Sequence, residues 1–200
     1  MDYNKIEKTF LLYKDSNTIK DVDPVTDREP LVEYKAFLVR ETIAKKLYKV
    51  EKWLKRKNKD FEIVMLDGHR PMEIQKAKFK ETYERISPSM PNASEMEILE
   101  ECHKQIAVPE VSGHPTGGAV DLLIKGLDFG TGYCDWDAGK KLYYASPEIS
   151  KTAKRNRKLL RKAMIKQGFL QYMAEWWHFS YGDKEWAFAK KRKKALYSQN

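Results

Sequence analysis

The hydrophobic residues of this chain follow a helical period in one early segment and form short apolar runs elsewhere. Four aliphatic residues spaced by four, three and four positions predict an amphipathic helix from about Glu41 to Arg56: Ile43, Leu47, Val50 and Leu54. Phe61–Leu66 is a mainly apolar run and is typical of a buried strand. That strand should end at Asp67-Gly68-His69-Arg70-Pro71, because glycine and proline favour a turn.

Three further helices have recognisable boundaries. Pro71 can begin a helix that runs to about Ile86, because the first helical N–H needs no partner. The segment from Ser94 to Glu97 has the capping-box form and predicts a helix to about Lys104. Ser150 can cap a long basic helix that ends at Gly168, since glycine favours the helix terminus.

The remaining elements are short strands. Ala119–Ile124 is predicted as a strand, and Phe169–Met173 with Trp177–Tyr181 are predicted as the two strands of a closing hairpin. The first forty residues indicate loop or short strands. This order predicts one α+β domain over residues 1–200, an antiparallel sheet with helices packed mainly on one side.

Composition indicates a folded protein with a basic surface. The 200 residues are 42% hydrophobic and carry a net charge of +9, concentrated in Lys151–Lys166 and Lys190–Lys194. A solvated surface explains both stretches, although such charge can also attract nucleic acid or anionic lipid. Because no nucleic-acid-reading module accompanies the charge, we expect no nucleic-acid partner. The sequence is compatible with a homo-oligomer.

Location and redox state follow from what the sequence lacks. No segment approaches the roughly 20 apolar residues that a membrane span requires. The first residues show no secretory signal, so we expect a cytoplasmic protein without a membrane partner. Cys102 and Cys134 are too few for a disulfide scaffold and are expected to be reduced.

Two segments carry the chemistry of the chain. The segment from Ser112 to Asp121 and the segment Glu175-Trp176-Trp177-His178 together offer two imidazoles and a carboxylate as metal ligands: His114, His178 and Asp121. Three protein ligands with an open fourth position are typical of catalytic zinc. Glu175 supplies the base that such a site needs to deprotonate water. We expect Glu175 in the turn before the last strand and His178 on the inward face of that strand.

Each of these histidines has an ordinary alternative. A lone histidine among aromatic residues is usually a hydrogen-bonded core residue, and only the joint appearance of both segments favours a metal site. His103, near the end of a charged helix, is expected on the surface. His69 lies in a turn that could line the site.

Three motifs in this order resemble those of the D-Ala-D-Ala dipeptidases, zinc peptidases of the VanX type. They are Asp-Gly-x-Arg-Pro, Ser-x-His-x-x-Gly-x-Ala-x-Asp and Glu-x-Trp-His, within residues 67 to 181. The wider group includes D-Ala-D-Ala carboxypeptidases, cell-wall endolysins and the hedgehog signalling domain. The resemblance implies one zinc ion on His114, Asp121 and His178, with Glu175 as catalytic base. It also implies that Arg70 stabilises the oxyanion and that Ser112 helps to hold the peptide.

The chain departs from the family pattern at two places. The family has a Gly-x-x-aromatic-Asp segment whose Asp binds the substrate ammonium, and residues 130–135 match it only with one inserted residue. Cys134 then stands where the Asp is expected, and Asp135 becomes the candidate. His69 stands where the family commonly has Tyr, and we expect this change to tune the pocket.

The sequence therefore predicts zinc-dependent hydrolysis of a small dipeptide, D-Ala-D-Ala. The nearest alternative is a peptidoglycan D,D-carboxypeptidase or cell-wall endopeptidase that uses the same residues on a longer peptide. A basic nucleic-acid-binding domain and a zinc-binding module without activity are the alternatives from other classes. The presence of both Glu175 and Arg70 beside the ligand set disfavours them.

Overall fold

A computed structural model describes residues 29–199, and the predicted loop or short strands before residue 29 lie outside this range. Six strands are present in the described residues: β1 Leu31–Tyr34, β2 Phe37–Arg40, β3 Ile63–Asp67, β4 Ala119–Ile124, β5 Leu170–Gln171 and β6 His178–Ser180. Five α-helices accompany them: α1 Glu41–Lys55, α2 Met72–Ile86, α3 Glu95–His103, α4 Lys151–Lys166 and α5 Lys184–Ala189. Short 3₁₀ turns occur at Ser87–Ser89, His114–Thr116 and Trp136–Leu142.

The capping residues read from the sequence begin their helices as expected. In α3 the Ser94 hydroxyl accepts the Glu97 N–H and the Glu97 carboxylate accepts the Ser94 N–H, which completes the capping box. In α4 the Ser150 hydroxyl accepts the Ala153 N–H at 3.0 Å. The predicted boundaries of α1 to α4 agree with the structure to within about two residues.

The end of the chain differs from the sequence prediction. The two strands of the hairpin are shorter than expected, and α5 was not predicted. Asp183 begins α5, because its carboxylate accepts the Trp186 N–H at 2.7 Å. A helix of only six residues leaves little periodicity to detect.

The main sheet turns one face toward the hydrophobic core and the other toward the candidate site. Its order is β3-β4-β6-β5, with every neighbouring pair antiparallel. Side chains alternate along β4, so Val120, Leu122 and Ile124 enter the hydrophobic core while Asp121 faces the other side. The core also contains buried residues of α1 and α4, which contact each other. The predicted α+β class is confirmed.

The small β1–β2 hairpin packs against the loops that precede the site. Its Leu38 carbonyl accepts the His69 N–H at 2.7 Å. A Cβ on Gly68 would lie 2.7 Å from that same carbonyl oxygen, so the close approach requires glycine. From the end of β2, the Arg40 N–H donates to the Gly117 carbonyl at 2.9 Å. The hairpin therefore holds the two turns that flank the candidate metal ligands.

The basic run Lys190–Lys194 is exposed along its whole length. Within residues 29–199, no helix is both long and apolar enough to cross a membrane.

Candidate active site

Strand register brings two of the predicted metal ligands together. Asp121 of β4 lies directly opposite His178 of β6 in the antiparallel ladder. His114 reaches the same point from the 3₁₀ turn before β4. That turn ends at Gly117, whose φ of 71° is a left-handed conformation that glycine adopts without strain. The structure therefore gathers the three residues from two strands and one turn.

The three side chains meet around one carboxylate oxygen. Asp121 Oδ1 lies 2.9 Å from His178 Nδ1 and 3.5 Å from His114 Nε2. One ligand atom from each residue lies within 4.8 Å of the others. The Tyr133 hydroxyl donates to the second oxygen, Asp121 Oδ2, at 3.0 Å. Tyr133 therefore fixes the carboxylate so that Oδ1 faces the imidazoles.

Hydrogen bonding fixes the tautomer of one imidazole. His114 Nδ1 lies 2.7 Å from the Gly68 carbonyl, which can only accept, so Nδ1 carries the proton. In the neutral ring Nε2 then carries the lone pair that a metal ligand requires, and Nε2 lies 3.5 Å from Asp121 Oδ1. Two imidazoles and one carboxylate oxygen at this spacing fit the donor set of zinc. The chemistry of these residues therefore suits the metal that the sequence predicted.

Glu175 lies in the loop before β6, as the sequence predicted. Its Oε2 is 3.9 Å from His178 Nδ1, and the side chain is buried. Burial raises the pKa of Glu175 well above its usual range, and the nearby negative charges of Asp121 and Glu185 add to the effect. A divalent cation on the three ligands would oppose this shift, because its charge favours the carboxylate form.

Arg70 is held rigidly at the edge of the same site. One guanidinium nitrogen donates to the carboxylate of Asp67, the last residue of β3, and another donates to Gln75 Oε1 at 2.8 Å. Gln75 is itself fully buried and donates to the Ala107 carbonyl at 2.7 Å. Two partners thus leave the guanidinium little freedom to move.

A cavity of about 470 Å³ connects these groups. Of the predicted site residues, six line it: Arg70, Ser112, His114, Asp121, Glu175 and His178. Asp135 is exposed and is not among the lining residues, whereas Cys134, which adopts φ 54°, faces the cavity in its place. The structure therefore does not bring Asp135 to the site.

The expectation for one of the two remaining histidines, His103, was wrong. His103 is buried and lines the cavity, because Val108 donates its N–H to His103 Nδ1 and folds the following loop over the ring. His69, whose turn could have lined the site, is not among the lining residues, and its backbone N–H donates to the Leu38 carbonyl of the β1–β2 hairpin. Both cysteines are free; Cys102 is buried.

Several residues that belong to the site were not predicted as site residues from the sequence. Asp67 was visible in the Asp-Gly-x-Arg-Pro motif, and Tyr133 was visible in the aromatic position of the segment 130–135. Both residues therefore lay in recognisable motifs. The motifs did not predict that Asp67 would accept from Arg70 or that Tyr133 would donate to Asp121. Gln75 and Glu185 are a buried glutamine and a buried glutamate in helices and carried no signal.

The chain matches a family described as D-ala-D-ala dipeptidase over residues 20–195. Among curated proteins, it is 26% identical over 179 residues to the D-alanyl-D-alanine dipeptidase of Synechocystis, covering 76% of this chain and 72% of that protein. It is 29% identical over 102 residues to the Escherichia coli D-alanyl-D-alanine dipeptidase, covering 48% and 52%. The Enterococcus faecium protein of that name is 28% identical over 133 residues, covering 61% and 63%.

Two solved structures share the fold. VanYB in complex with D-Ala-D-Ala superposes with a TM-score of 0.52 and 17% identity, covering 84% of this chain and 87% of its own. The D,D-pentapeptidase VanY of the VanB-type resistance cassette, solved with Zn(II), gives 0.51 and 17% identity, covering 88% and 97%. These likenesses extend over nearly the whole described fold. They agree with the resemblance that the three motifs predicted.

The ligand geometry predicts one zinc ion per chain. His178→Ala and Asp121→Asn should each abolish stoichiometric zinc binding, because either change removes one of the three ligand atoms that converge. Elemental analysis of purified protein and zinc titration by calorimetry would measure this. His69→Ala is the matched control and should retain one ion, because His69 lies outside the cavity. Equal zinc content in all variants would contradict the assignment.

Proposed function

The chain belongs to the D-Ala-D-Ala dipeptidase family and is a peptide hydrolase, and on this basis we propose that it hydrolyses the free dipeptide D-Ala-D-Ala. The observation that carries the proposal is a His-Asp-His set, with His114 and Asp121 buried and His178 half-buried, in one cavity with Glu175 and Arg70. These residues would provide the ligands of a metal centre, a base and a fixed cation, a combination that supports metal-assisted hydrolysis. The expected cytoplasmic location and possible homo-oligomer stay predictions.

The proposed mechanism assigns one task to each group. When bound by His114, Asp121 and His178, zinc would supply Lewis-acid chemistry and favour loss of a proton from water near neutral pH. Glu175 accepts that proton and passes it to the amine that leaves. Arg70 donates N–H groups to the carbonyl oxygen as negative charge develops there. Ser112, buried in the cavity wall, contacts the bound peptide.

Two lengths of peptide substrate are compatible with the same catalytic residues. Cell-wall D,D-carboxypeptidase or endopeptidase activity is the second candidate, and the exposure of Asp135 favours it. Without a buried carboxylate from residues 130–135, that segment offers no group that would reject an acylated N-terminus. The cavity volume of about 470 Å³ is within the range of ordinary small-ligand sites and accommodates a dipeptide.

Release of D-alanine from three substrates separates these candidates. Zinc-loaded protein should cleave D-Ala-D-Ala. If the site holds a carboxylate that pairs with the substrate ammonium, as the family pattern implies, N-acetyl-D-Ala-D-Ala should be at least ~10²-fold worse in kcat/KM, because that carboxylate would lose its partner. Asp135→Ala, predicted from the sequence to narrow that gap, tests whether Asp135 contributes despite its exposure. Equal cleavage of both dipeptides, or preference for a muropeptide, would favour the cell-wall peptidase instead.

Glu175→Gln should retain zinc but lose turnover by roughly 10²–10⁴-fold, because an amide cannot accept the proton from water. Stopped assays of D-alanine release together with elemental analysis would measure both quantities. Glu81→Gln is the control, since Glu81 is an exposed carboxylate of the same cavity. Turnover by Glu175→Gln near the wild-type rate would remove Glu175 from the mechanism.

Arg70→Lys should lower kcat by about 10²-fold or more with little change in KM, because an ammonium cannot keep the forked contacts to Asp67 and Gln75 while facing the oxyanion. Steady-state kinetics on D-Ala-D-Ala would show this. Arg85→Lys, an exposed arginine of the same cavity, serves as control. A change confined to KM would instead make Arg70 a substrate anchor.

A further inference from the structure

A second buried acid, Glu185, lies in the wall of the cavity and has no part in the mechanism above. Its side chain is 7% exposed, and it lines the same cavity as Glu175 and the metal ligands. Asp183 places it there: the Asp183 carboxylate caps α5, and Glu185 falls in the first turn of that helix. The negative charge of Glu185 adds to the effects of burial and of Asp121 in raising the pKa of Glu175.

The surroundings of Glu185 are unusual for a buried carboxylate. Across the described residues, no lysine or arginine forms an ion pair with it, and its basic neighbour is His103. His103 Nδ1 accepts the Val108 N–H, so a neutral ring carries its proton on Nε2, which is 3.9 Å from Glu185 Oε1. That separation is longer than a hydrogen bond. Lys184, the preceding residue, points its ammonium at the Glu110 carbonyl instead.

A carboxylate in this position has capacity for a ligand cation. Burying an acid without a cation is costly, and burial raises the pKa of Glu185 well above its usual range. An ammonium group entering the cavity would offset that cost with a charge-assisted hydrogen bond. Zinc is already provided for by the separate His-Asp-His set. In a peptide substrate, the group that can supply this positive charge is a protonated amine.

We propose that Glu185, beside His103, forms a subsite that binds a primary ammonium group of the substrate. The inference rests on the proposed function, because it assigns a recognition group for the same substrate. It also moves substrate selection from the segment 130–135, where the sequence placed it, to the first turn of α5. Two amines have the required chemistry: the N-terminal ammonium of a dipeptide and the side-chain amine of a C-terminal D-lysine.

Calorimetry with unreacted ligands tests the subsite. Zinc-loaded Glu175→Gln protein, with and without Glu185→Gln, is titrated with D-Ala-D-Ala, N-acetyl-D-Ala-D-Ala and N-acetyl-D-Ala-D-Lys. Glu185→Gln should weaken an amine-bearing ligand by about 10- to 100-fold and leave N-acetyl-D-Ala-D-Ala unchanged, because that ligand has no cation. A loss for D-Ala-D-Ala identifies the N-terminal ammonium, and a loss for N-acetyl-D-Ala-D-Lys identifies the side-chain amine.

Two further variants guard the interpretation. Glu185→Asp keeps the charge but withdraws it by one methylene, so it should give an intermediate loss even if Glu185→Gln folds poorly. Glu81→Gln, an exposed acid of the same cavity, should change no ligand. The subsite is overturned if Glu185→Gln affects ligands with and without an amine alike, or affects none.

The result also separates the subsite from the proposed function. Hydrolysis of D-Ala-D-Ala by the unmodified protein, with unchanged Kd values in Glu185→Gln, would leave the function and remove the subsite. Absence of hydrolysis with selective loss of amine-bearing ligands would remove the function and leave the subsite.

Discussion

The pairing of β4 with β6 is the constraint on which the site depends. It sets Asp121 opposite His178, so that one carboxylate oxygen lies 2.9 Å from an imidazole nitrogen before any ion is considered. Because side chains alternate along a strand, a slip of one residue would turn Asp121 into the core and Leu122 toward the cavity. The core contacts of Val120, Leu122 and Phe179 therefore fix the metal site from the opposite face of the sheet.

Local signals explain why much of the fold could be predicted. Capping residues and hydrophobic periodicity are properties of neighbouring residues, and the first residues of α3 and α4 were predicted from Ser94 and Ser150. The motifs that surround His114 and His178 likewise mark short segments. Their grouping into one metal site was inferred from the joint appearance of the two segments and then from the resemblance, and the distances between these side chains became visible only in the structure.

The errors concern contacts between distant segments. His103 was expected on the surface because its own helix is charged, yet it is covered by the loop at Val108 and by α5, more than eighty residues further along. Asp135 was expected in the cavity because the family pattern has an Asp after the aromatic residue, and Asp135 matches that Asp if one residue is inserted. The left-handed conformation at Cys134 instead leaves Tyr133 and Cys134 lining the cavity and Asp135 in solvent. Neither outcome follows from composition or spacing near the residue itself.

The β1–β2 hairpin limits where the chain can be truncated. The hairpin contributes no proposed metal ligand, but it holds both turns beside the site. The Leu38 carbonyl accepts the His69 N–H in the turn after β3, and the Arg40 N–H donates to the Gly117 carbonyl in the turn before β4. His114 is joined to the first of these turns by the hydrogen bond between its Nδ1 and the Gly68 carbonyl. Arg40 also reaches across 76 residues of sequence to the Thr116 carbonyl at 2.6 Å. A minimal catalytic fragment therefore cannot begin at α1, even though every proposed metal ligand lies beyond it. The β1–β2 hairpin, which helps to orient the His114 imidazole, comes before α1 in the chain.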